Sequence, residues 1–582
     1  MDLTVLNNTL SLVRRIIDTR SSTKPIVDTV PDKPAFAREP VAAPFPRATP
    51  EEKGVPSALL EDYYRTLRDH RELDMHSVLV MRDGAVIAEA DFGAYDRSVW
   101  HVSFSQCKSV TGLAIGMLVD EGLLDIDEPV LKIFGSRAPI LAQLTMKDLR
   151  VRHLLTMTSG VSFSEPGALT ETDWVRAFFE SKVSGSPGEK FSYNSLNTYM
   201  LSAIVHEITG MGLTEYLRPR LWEPLEISSV YWEKCPMGIE KGGWGLYLRP
   251  EDFMKIGQLV LNKGCWNGRQ LVSESWVRSA TSVQSIAPES CGDYNYGFQI
   301  WVGRKQHSFL FNGMFGQNLL CFPDTGLMVC ATAGNDDMFQ QSPFFQITQE
   351  MLGTPFGEHL PPDPDAHKKL TELLDSLDAK KAGLGTAARS RRATPAQCAM
   401  LEGTGYRVVS TNAPSLGLLP ITMQATQNLY AKGLVGLSFF REGGVFCMRV
   451  EEEDESHTLP IGFLSPAYTQ LDCHGEPHLV GTLGRFARDE DERLVLILRV
   501  SFLEAAGARH IRLYFEHGFR SLECRWEETP GLAFAQNQLQ AMTADKKLPA
   551  AMANLLLKTD ADYVDFKLLS VFTPKFKAVL ED

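Results

Sequence analysis

Ser105-Gln-Cys-Lys-Ser-Val-Thr-Gly-Leu-Ala-Ile-Gly-Met-Leu118 is the stretch that decides what kind of domain this chain builds. Everything after Lys108 in it is small or apolar, and the spacing predicts a long helix over Ser105–Glu121 that stops at Gly122. Three residues apart on a helix, Ser105 and Lys108 project from one face. A serine hydroxyl attacks a carbonyl well only when a base removes its proton, and a lysine can do so only if burial draws its pKa toward neutrality. The helix N-terminus also puts the Ser105 amide where it can stabilise negative charge. The spacing alone is weak, because a helix cap beside a snorkelling lysine gives the same four letters.

The neighbouring segments narrow the choice. Trp100-His-Val-Ser-Phe104 precedes the helix; Asp125-Ile-Asp-Glu-Pro-Val130 and Met146-Lys-Asp-Leu-Arg-Val-Arg-His-Leu-Leu-Thr-Met-Thr-Ser-Gly-Val161 follow it. Further on stand Pro187-Gly-Glu-Lys-Phe-Ser-Tyr-Asn-Ser-Leu-Asn197, running on to Gly210, then Gly242-Gly-Trp-Gly-Leu-Tyr-Leu-Arg-Pro-Glu-Asp252 and Gly313-Met-Phe-Gly-Gln-Asn318. In this order they resemble the serine β-lactamase-related family, which takes in class C β-lactamases, D-alanyl-D-alanine carboxypeptidases, family VIII esterases and 6-aminohexanoate-oligomer hydrolases. The resemblance covers about residues 50–352, and Arg152–Gly160 is its most specific stretch.

The resemblance implies an α+β, β-lactamase-like fold: an antiparallel sheet flanked by helices, an all-helical lobe, and the active site between them. It implies Ser105 as nucleophile and Lys108 with Tyr193 as the proton-transfer pair, without cofactor or metal. A phenol is a poor base at its usual pKa of about 10, but beside an ammonium the phenolate becomes accessible. Two departures matter. Where β-lactamases carry Tyr-x-Asn, this chain has Tyr193-Asn194-Ser195, with Asn197 as a possible substitute two residues on. Where they carry Lys-Thr-Gly or His-x-Gly, it has Phe311-Asn312-Gly313, with no cation. A glycine there still lets backbone approach the acyl group, and the Met314 amide becomes the expected second oxyanion donor beside that of Ser105. Gly-x-x-Gly-Gln over Gly313–Gln317 resembles the esterase and oligoamide-hydrolase branches and weighs against antibiotic hydrolysis.

Other residues carry weaker expectations. Cys107, off the Lys108 face, should point to the core. Asp173-Trp174 falls where the oligoamide-hydrolase branch shapes its pocket, although a surface helix with one buried tryptophan fits equally well. Tyr294 and Tyr296 should pack near the cleft, with Tyr296 a candidate for substrate contact. His206-Glu207 begins like HExxH, but Gly210 stands where the second histidine should be, so no metal is expected.

The 582 residues suffice for two or more domains, and a net charge of −14 excludes a phosphate-backbone binder. No run approaches 18 apolar residues, and Asn7-Asn8 interrupts the N-terminal apolar stretch, so a cytoplasmic protein without membrane contact is expected. Ten cysteines with no CxxC pair read as reduced thiols. Four regions follow: an extended, proline-dotted segment over 1–50; the hydrolase domain over 51–354, with an Asp83-Gly84 hairpin near its start; a linker with one amphipathic helix over 355–398; and a β-rich domain over 399–582 ending in helices, whose acidic run Glu451–Glu455 should lie on a solvated turn. That domain could cover the cleft and narrow substrate choice, or mediate homodimer contacts. The expected activity is hydrolysis of small carboxylic esters or amides through an acyl-enzyme. The alternatives are acyl transfer from the same intermediate and a non-catalytic binding protein on the same scaffold.

Overall fold

The computed structural model describes residues 27, 30–337, 342–382, 395–413, 416–537 and 561–581. The first sheet forms around β1 (Met75–Arg82) and β2 (Ala85–Asp91). Asp83 and Gly84 between them both have positive φ, which gives the tight turn that matches strand twist. β3 (Tyr294–Tyr296), β4 (Trp301–Gly303), β5 (Phe309–Gly313), β6 (Gln317–Phe322) and β7 (Leu327–Ala333) complete an antiparallel sheet of order β2-β1-β7-β6-β5-β4-β3.

Every residue of β1 is buried, because both faces are covered. Val78 and Val80 face a cluster with Tyr63, Tyr64 and Leu67 of α1 (Ser57–Asp69); Leu79 and Met81 face the opposite cluster, which holds Val110 and Ile256. Those two residues belong to α2 (Lys108–Asp120) and to a helix over Pro250–Leu261. All of α2 from Lys108 to Leu118 is buried. Gly116 permits this, since a Cβ there would stand 2.4 Å from the Trp276 ring. α3 (Ser195–Thr209) packs beside α2 in the helical lobe, capped at its N-terminus by the Asn194 side chain on the Leu196 amide and ended by Gly210 in the left-handed region.

The expected linker helix is α4 (Pro364–Leu377), and it is no free spacer. Leu370, Leu373 and Leu377 are buried in the cluster that holds α1, so the first domain extends past 354. The Gly383–Arg392 part of the expected linker, and residues 1–26 of the expected N-terminal segment, lie outside the described residues. Residues 30–50 run extended across both domains, with Lys33 paired to Glu504 and Arg47 to Glu251.

The second sheet has ten antiparallel strands, from β8 (Gly405–Thr411) through β9 (Leu434–Glu442), β10 (Val445–Glu452), β11 (Ser456–Pro460), β12 (Ala467–Cys473), β13 (Glu476–Arg488), β14 (Leu494–Phe502), β15 (Ala508–Glu516) and β16 (Ser521–Thr529) to β17 (Lys575–Leu580). Their order is β11-β10-β9-β8-β17-β16-β15-β14-β13-β12, and Gly462 bridges to Leu483, which makes the sheet barrel-like. Its interior is filled by Phe439, Met448, Leu498, Ile511 and Trp526. The chain therefore closes on a strand, where helices were expected: a helix over Ala561–Phe572 is followed by β17, whose Phe576 and Ala578 turn inward between β8 and β16. The acidic run also differs from expectation, since Glu452 is buried and accepts the Leu418 amide at 2.8 Å. All ten cysteines are free. No helix among the described residues is long and apolar enough to cross a membrane.

The second domain sits against the first beside the start of α2. The Arg499 guanidinium holds Asp74 at 2.7 Å, the Tyr468 hydroxyl donates to Ala94 O at 2.9 Å, and Trp100 Nε1 donates to Glu504.

Candidate active site

The predicted helix begins as a 3-10 turn, Phe104–Cys107, before α2 starts at Lys108. Phe104 has φ of 46°, a left-handed conformation that costs a bulky residue of the order of 1–3 kcal/mol. That kink lifts Ser105 out of the helix while leaving Lys108 inside it. Ser105 is half-buried; Lys108 is buried.

Lys108 Nζ has three partners: Ser105 Oγ at 2.7 Å, Ser195 Oγ at 2.8 Å and Gly243 O at 2.7 Å. An ammonium donates to all three. A neutral amine donates to Ser195 and Gly243 and turns its lone pair to the Ser105 hydroxyl, so one geometry serves both protonation states. Burial drives the Lys108 pKa down to about 8, with the Glu165 carboxylate opposing it.

The Tyr193 hydroxyl shares a hydrogen bond with the Ser105 side chain, and its ring lies under the ammonium, 5.0 Å from Nζ to centroid. Burial pushes the phenol above its usual range despite the Ser105 hydrogen bond. An accessible phenolate, as expected from the sequence, therefore finds no support in the surroundings: Tyr193 stays protonated and Lys108 is the group that titrates near neutrality. The Tyr193 ring stacks on Trp301 (5.5 Å, 18°) and meets Tyr296 edge-on at 6.3 Å. Tyr296 is thus a buried support for Tyr193. Tyr294 lies further off and accepts a hydrogen bond from Gln349 Nε2 at 2.9 Å.

Of the two candidates for the missing asparagine, only Ser195 reaches the lysine. Asn197 is fully buried elsewhere, its Oδ1 accepting from Ser159 Oγ at 2.7 Å and its Nδ2 facing Met157 Sδ at 3.5 Å. They stand two residues apart on α3, about half a turn, so they point to different neighbours. Asn312 is likewise tied inside the sheet, donating to Asn318 Oδ1 at 2.7 Å across the β5–β6 pair.

Gly313 ends β5 against the turn that carries Ser105. A Cβ there would stand 2.2 Å from Ser103 O and 3.2 Å from Gln106 N, so only glycine lets the strand approach. Met314 opens a tight turn in which Phe315 has φ of 66°, and the Phe104 and Phe315 rings meet edge-to-face at 5.2 Å. The Ser105 and Met314 amides are thus each flanked by a strained phenylalanine. Cys107 donates to Phe104 O and Gly242 O and is buried, which pushes its thiol up to about 12; it cannot supply a thiolate here.

Residues 60–337 match the family model described as Beta-lactamase. That segment is a β-lactamase-family domain. A 6-aminohexanoate-dimer hydrolase from Paenarthrobacter ureafaciens is 27% identical to this chain over 284 residues, 43% of this chain and 70% of the relative. Protein flp of Staphylococcus aureus is 25% identical over 166 residues, 26% of this chain and a third (33%) of its own length. Among solved structures, the octameric penicillin-binding protein homologue from Pyrococcus abyssi covers 80% of this chain and 97% of its own, at 16% identity and a TM-score of 0.41.

Four residues of the β-lactamase-family domain come to the site without having been singled out from sequence. The carbonyl of Gly243 lies inside the quoted 242–252 match, but a backbone acceptor has no residue type to announce it. Trp301 is one of nine tryptophans, legible only once β4 brings it under Tyr193. Glu165 accepts the Ser195 amide at 3.1 Å and bears electrostatically on both Lys108 and Tyr193. Trp244 stacks on Trp174 (5.4 Å, 22°), and Trp174 is itself buried, its Nε1 donating to Glu171 O at 2.9 Å. Asp173 caps the helix over Trp174–Glu180 by accepting the Arg176 amide.

Proposed function

We propose that this chain is a cofactor-free serine hydrolase that cleaves small carboxylic esters or amides through an acyl-enzyme on Ser105. The observation that carries the proposal is the placement of a buried lysine, its pKa drawn down to about 8, at 2.7 Å from Ser105 Oγ. Neutral Lys108 takes the Ser105 proton as Oγ attacks the carbonyl carbon. The amides of Ser105 and Met314 hold the oxyanion in a preorganised pair, an arrangement worth roughly 10²–10³ in rate per donor. Tyr193, kept protonated by burial, passes a proton to the leaving oxygen or nitrogen and recovers it from Lys108. The carbon–heteroatom bond breaks, and water repeats the sequence on the Ser105 ester to release the acid. The relative named as a 6-aminohexanoate-dimer hydrolase supports the amide side of this reading. The absence of a cation at Phe311-Asn312-Gly313 disfavours substrates that need a carboxylate held there, as antibiotic β-lactams do.

Labelling by a fluorophosphonate probe tests the proposal. Wild-type protein should be labelled and Ser105→Ala should not, with turnover of p-nitrophenyl esters lost in parallel. Full activity in Ser105→Ala sinks the assignment.

A further inference from the structure

A narrow, largely apolar cavity, partly open to solvent, lies between the two domains beside the Ser105 turn. Phe104, Phe315, Trp244 and Tyr247 of the first domain line one side; Met423 and Gly507 of the second line the other. Phe104 immediately precedes Ser105 and Phe315 immediately follows Met314, so the lining comes within one residue of both amides assigned to the oxyanion, although Ser105 and Met314 do not themselves line it. Neither Lys108, Tyr193 nor Ser195 lines it.

The second-domain wall is built for close approach. α5 (Ile421–Gln427) presents Met423, buried, toward the turn after β14, where a Cβ on Gly507 would stand 2.5 Å from Met423 Sδ. Glycine at 507 is what lets the methionine seat there. The helix itself is fixed from beneath: both carboxylate oxygens of buried Glu528 accept amides of its first turn, Ile421 N at 2.9 Å and Thr422 N at 3.1 Å. A wall held this firmly can select by size.

We infer that this interdomain cavity is the acyl pocket, and that its C-terminal wall restricts the enzyme to esters or amides of short, uncharged, apolar acyl groups. The inference rests on the serine-hydrolase reading above. The leaving group must lie where Tyr193 can protonate it, which is the Lys108 side of Ser105; the group entering a cavity that holds none of the proton-transfer residues is therefore the acyl chain. Its apolar character follows from the lining. Glu233 is the one carboxylate in the lining, and Lys241 Nζ pairs with it at 2.5 Å.

The test is a matrix of p-nitrophenyl esters, acetate through octanoate, and of butyrate esters of alcohols of rising length, on the full-length chain. Wild type should prefer short acyl chains and discriminate little among the alcohols. Met423→Ala should raise kcat/KM for the octanoate relative to the butyrate by about tenfold or more, the usual worth of one or two methylenes in an apolar pocket. Thr426→Phe, which adds bulk from the same helix, should move the preference the other way. Acyl profiles of both variants superimposable on wild type, in folded protein, would overturn the assignment; so would a shift confined to the alcohol series, which would place the leaving group in the cavity. Failure of the hydrolase reading looks different: wild type would then neither label with fluorophosphonate nor turn over any ester in the matrix.

Discussion

Lys108 Nζ lies 2.8 Å from Ser195 Oγ, so a hydroxyl occupies the place that Tyr-x-Asn enzymes give to a carboxamide. A hydroxyl accepts from the lysine as an amide oxygen would, on a shorter side chain. Removing it should leave the lysine with one acceptor fewer, besides Ser105. A hydrogen bond to a charged group is worth about 1.5–3 kcal/mol, so Ser195→Ala should lose about ten- to a hundredfold in acylation rate. The lost acceptor had favoured the ammonium, so the acidic limb of the pH profile should move to lower pH. Single-turnover acylation across pH decides it; an unchanged limb and rate would make Ser195 a bystander.

On the proposed mechanism, Lys108 should give the pH profile its shape. Its folded pKa is about 8, below the ordinary lysine value of 10.5, because burial disfavours the charge. The proposed acylation needs the neutral amine, so the rate should rise with pH through about 8. Lys108→Arg keeps a cation but supplies no neutral base near neutrality, and should lose at least about two powers of ten while folding normally. An arginine variant within a few-fold of wild type would reduce Lys108 to a fixed charge and leave the proton path to Tyr193.

The same shift has a stability signature. A depressed lysine pKa means that the unfolded chain binds more protons than the folded one between pH 8 and 10.5, so stability rises with pH across that window. The group is buried, and the full amplitude is of the order of 3 kcal/mol. Lys108→Met should remove this rise: denaturant unfolding at pH 8 and at pH 10.5, in both proteins, should show wild type gaining and the variant flat. An equal gain in both would assign the pH dependence to other groups.

The sequence carried those parts of the fold whose signals are local. Asp83-Gly84 marks its own hairpin, and the apolar run after Lys108 marks a helix buried on all sides. β17 was hidden because Lys575-Phe-Lys-Ala-Val-Leu580 pairs with β8 and β16, far away in the chain, and its alternation is short. α4 looked like a linker helix because its amphipathic stripe does not say which surface it will cover; α1 does so. At the site, Ser105, Lys108 and Tyr193 were legible as residue types at fixed spacing. The choice between Ser195 and Asn197 was not, because both sit on the first turn of α3 and only the register of that turn against Lys108 separates them.

Gly313 is a position where one methyl group decides the site. The added Cβ of Gly313→Ala would stand 2.2 Å from the Ser103 carbonyl, which is backbone and cannot rotate away. Either β5 or the nucleophile turn must move, and a displacement of about 1 Å in a preorganised site costs on the order of a hundredfold. The variant should keep its fold, lose at least that much in kcat/KM and label slowly with fluorophosphonate. Activity within a few-fold of wild type would show that the turn is loose enough to absorb the methyl, and would weaken the case for Met314 as an oxyanion donor.

Glu528 and Arg509 form an ion pair with both side chains fully buried, and the pair serves the wall of the cavity rather than the barrel alone. Arg509 also donates to the carbonyls of Gly417, Leu418 and Leu419, just before α5, while Glu528 takes the first amides of that helix. Breaking one partner of a buried pair costs about 3–5 kcal/mol, because the other charge is left uncompensated. Glu528→Gln should therefore lower the denaturant midpoint by an amount in that range. It should also loosen the acyl-length preference, since the helix that carries Met423 loses its anchor. Replacing both members with apolar residues, Arg509→Met with Glu528→Leu, should recover much of the stability by removing the stranded charge. It should not recover the length preference, because the amides of Ile421 and Thr422 remain without acceptors. If the double variant regains stability and discrimination together, the pair is a packing feature of the barrel and the wall is positioned by other contacts.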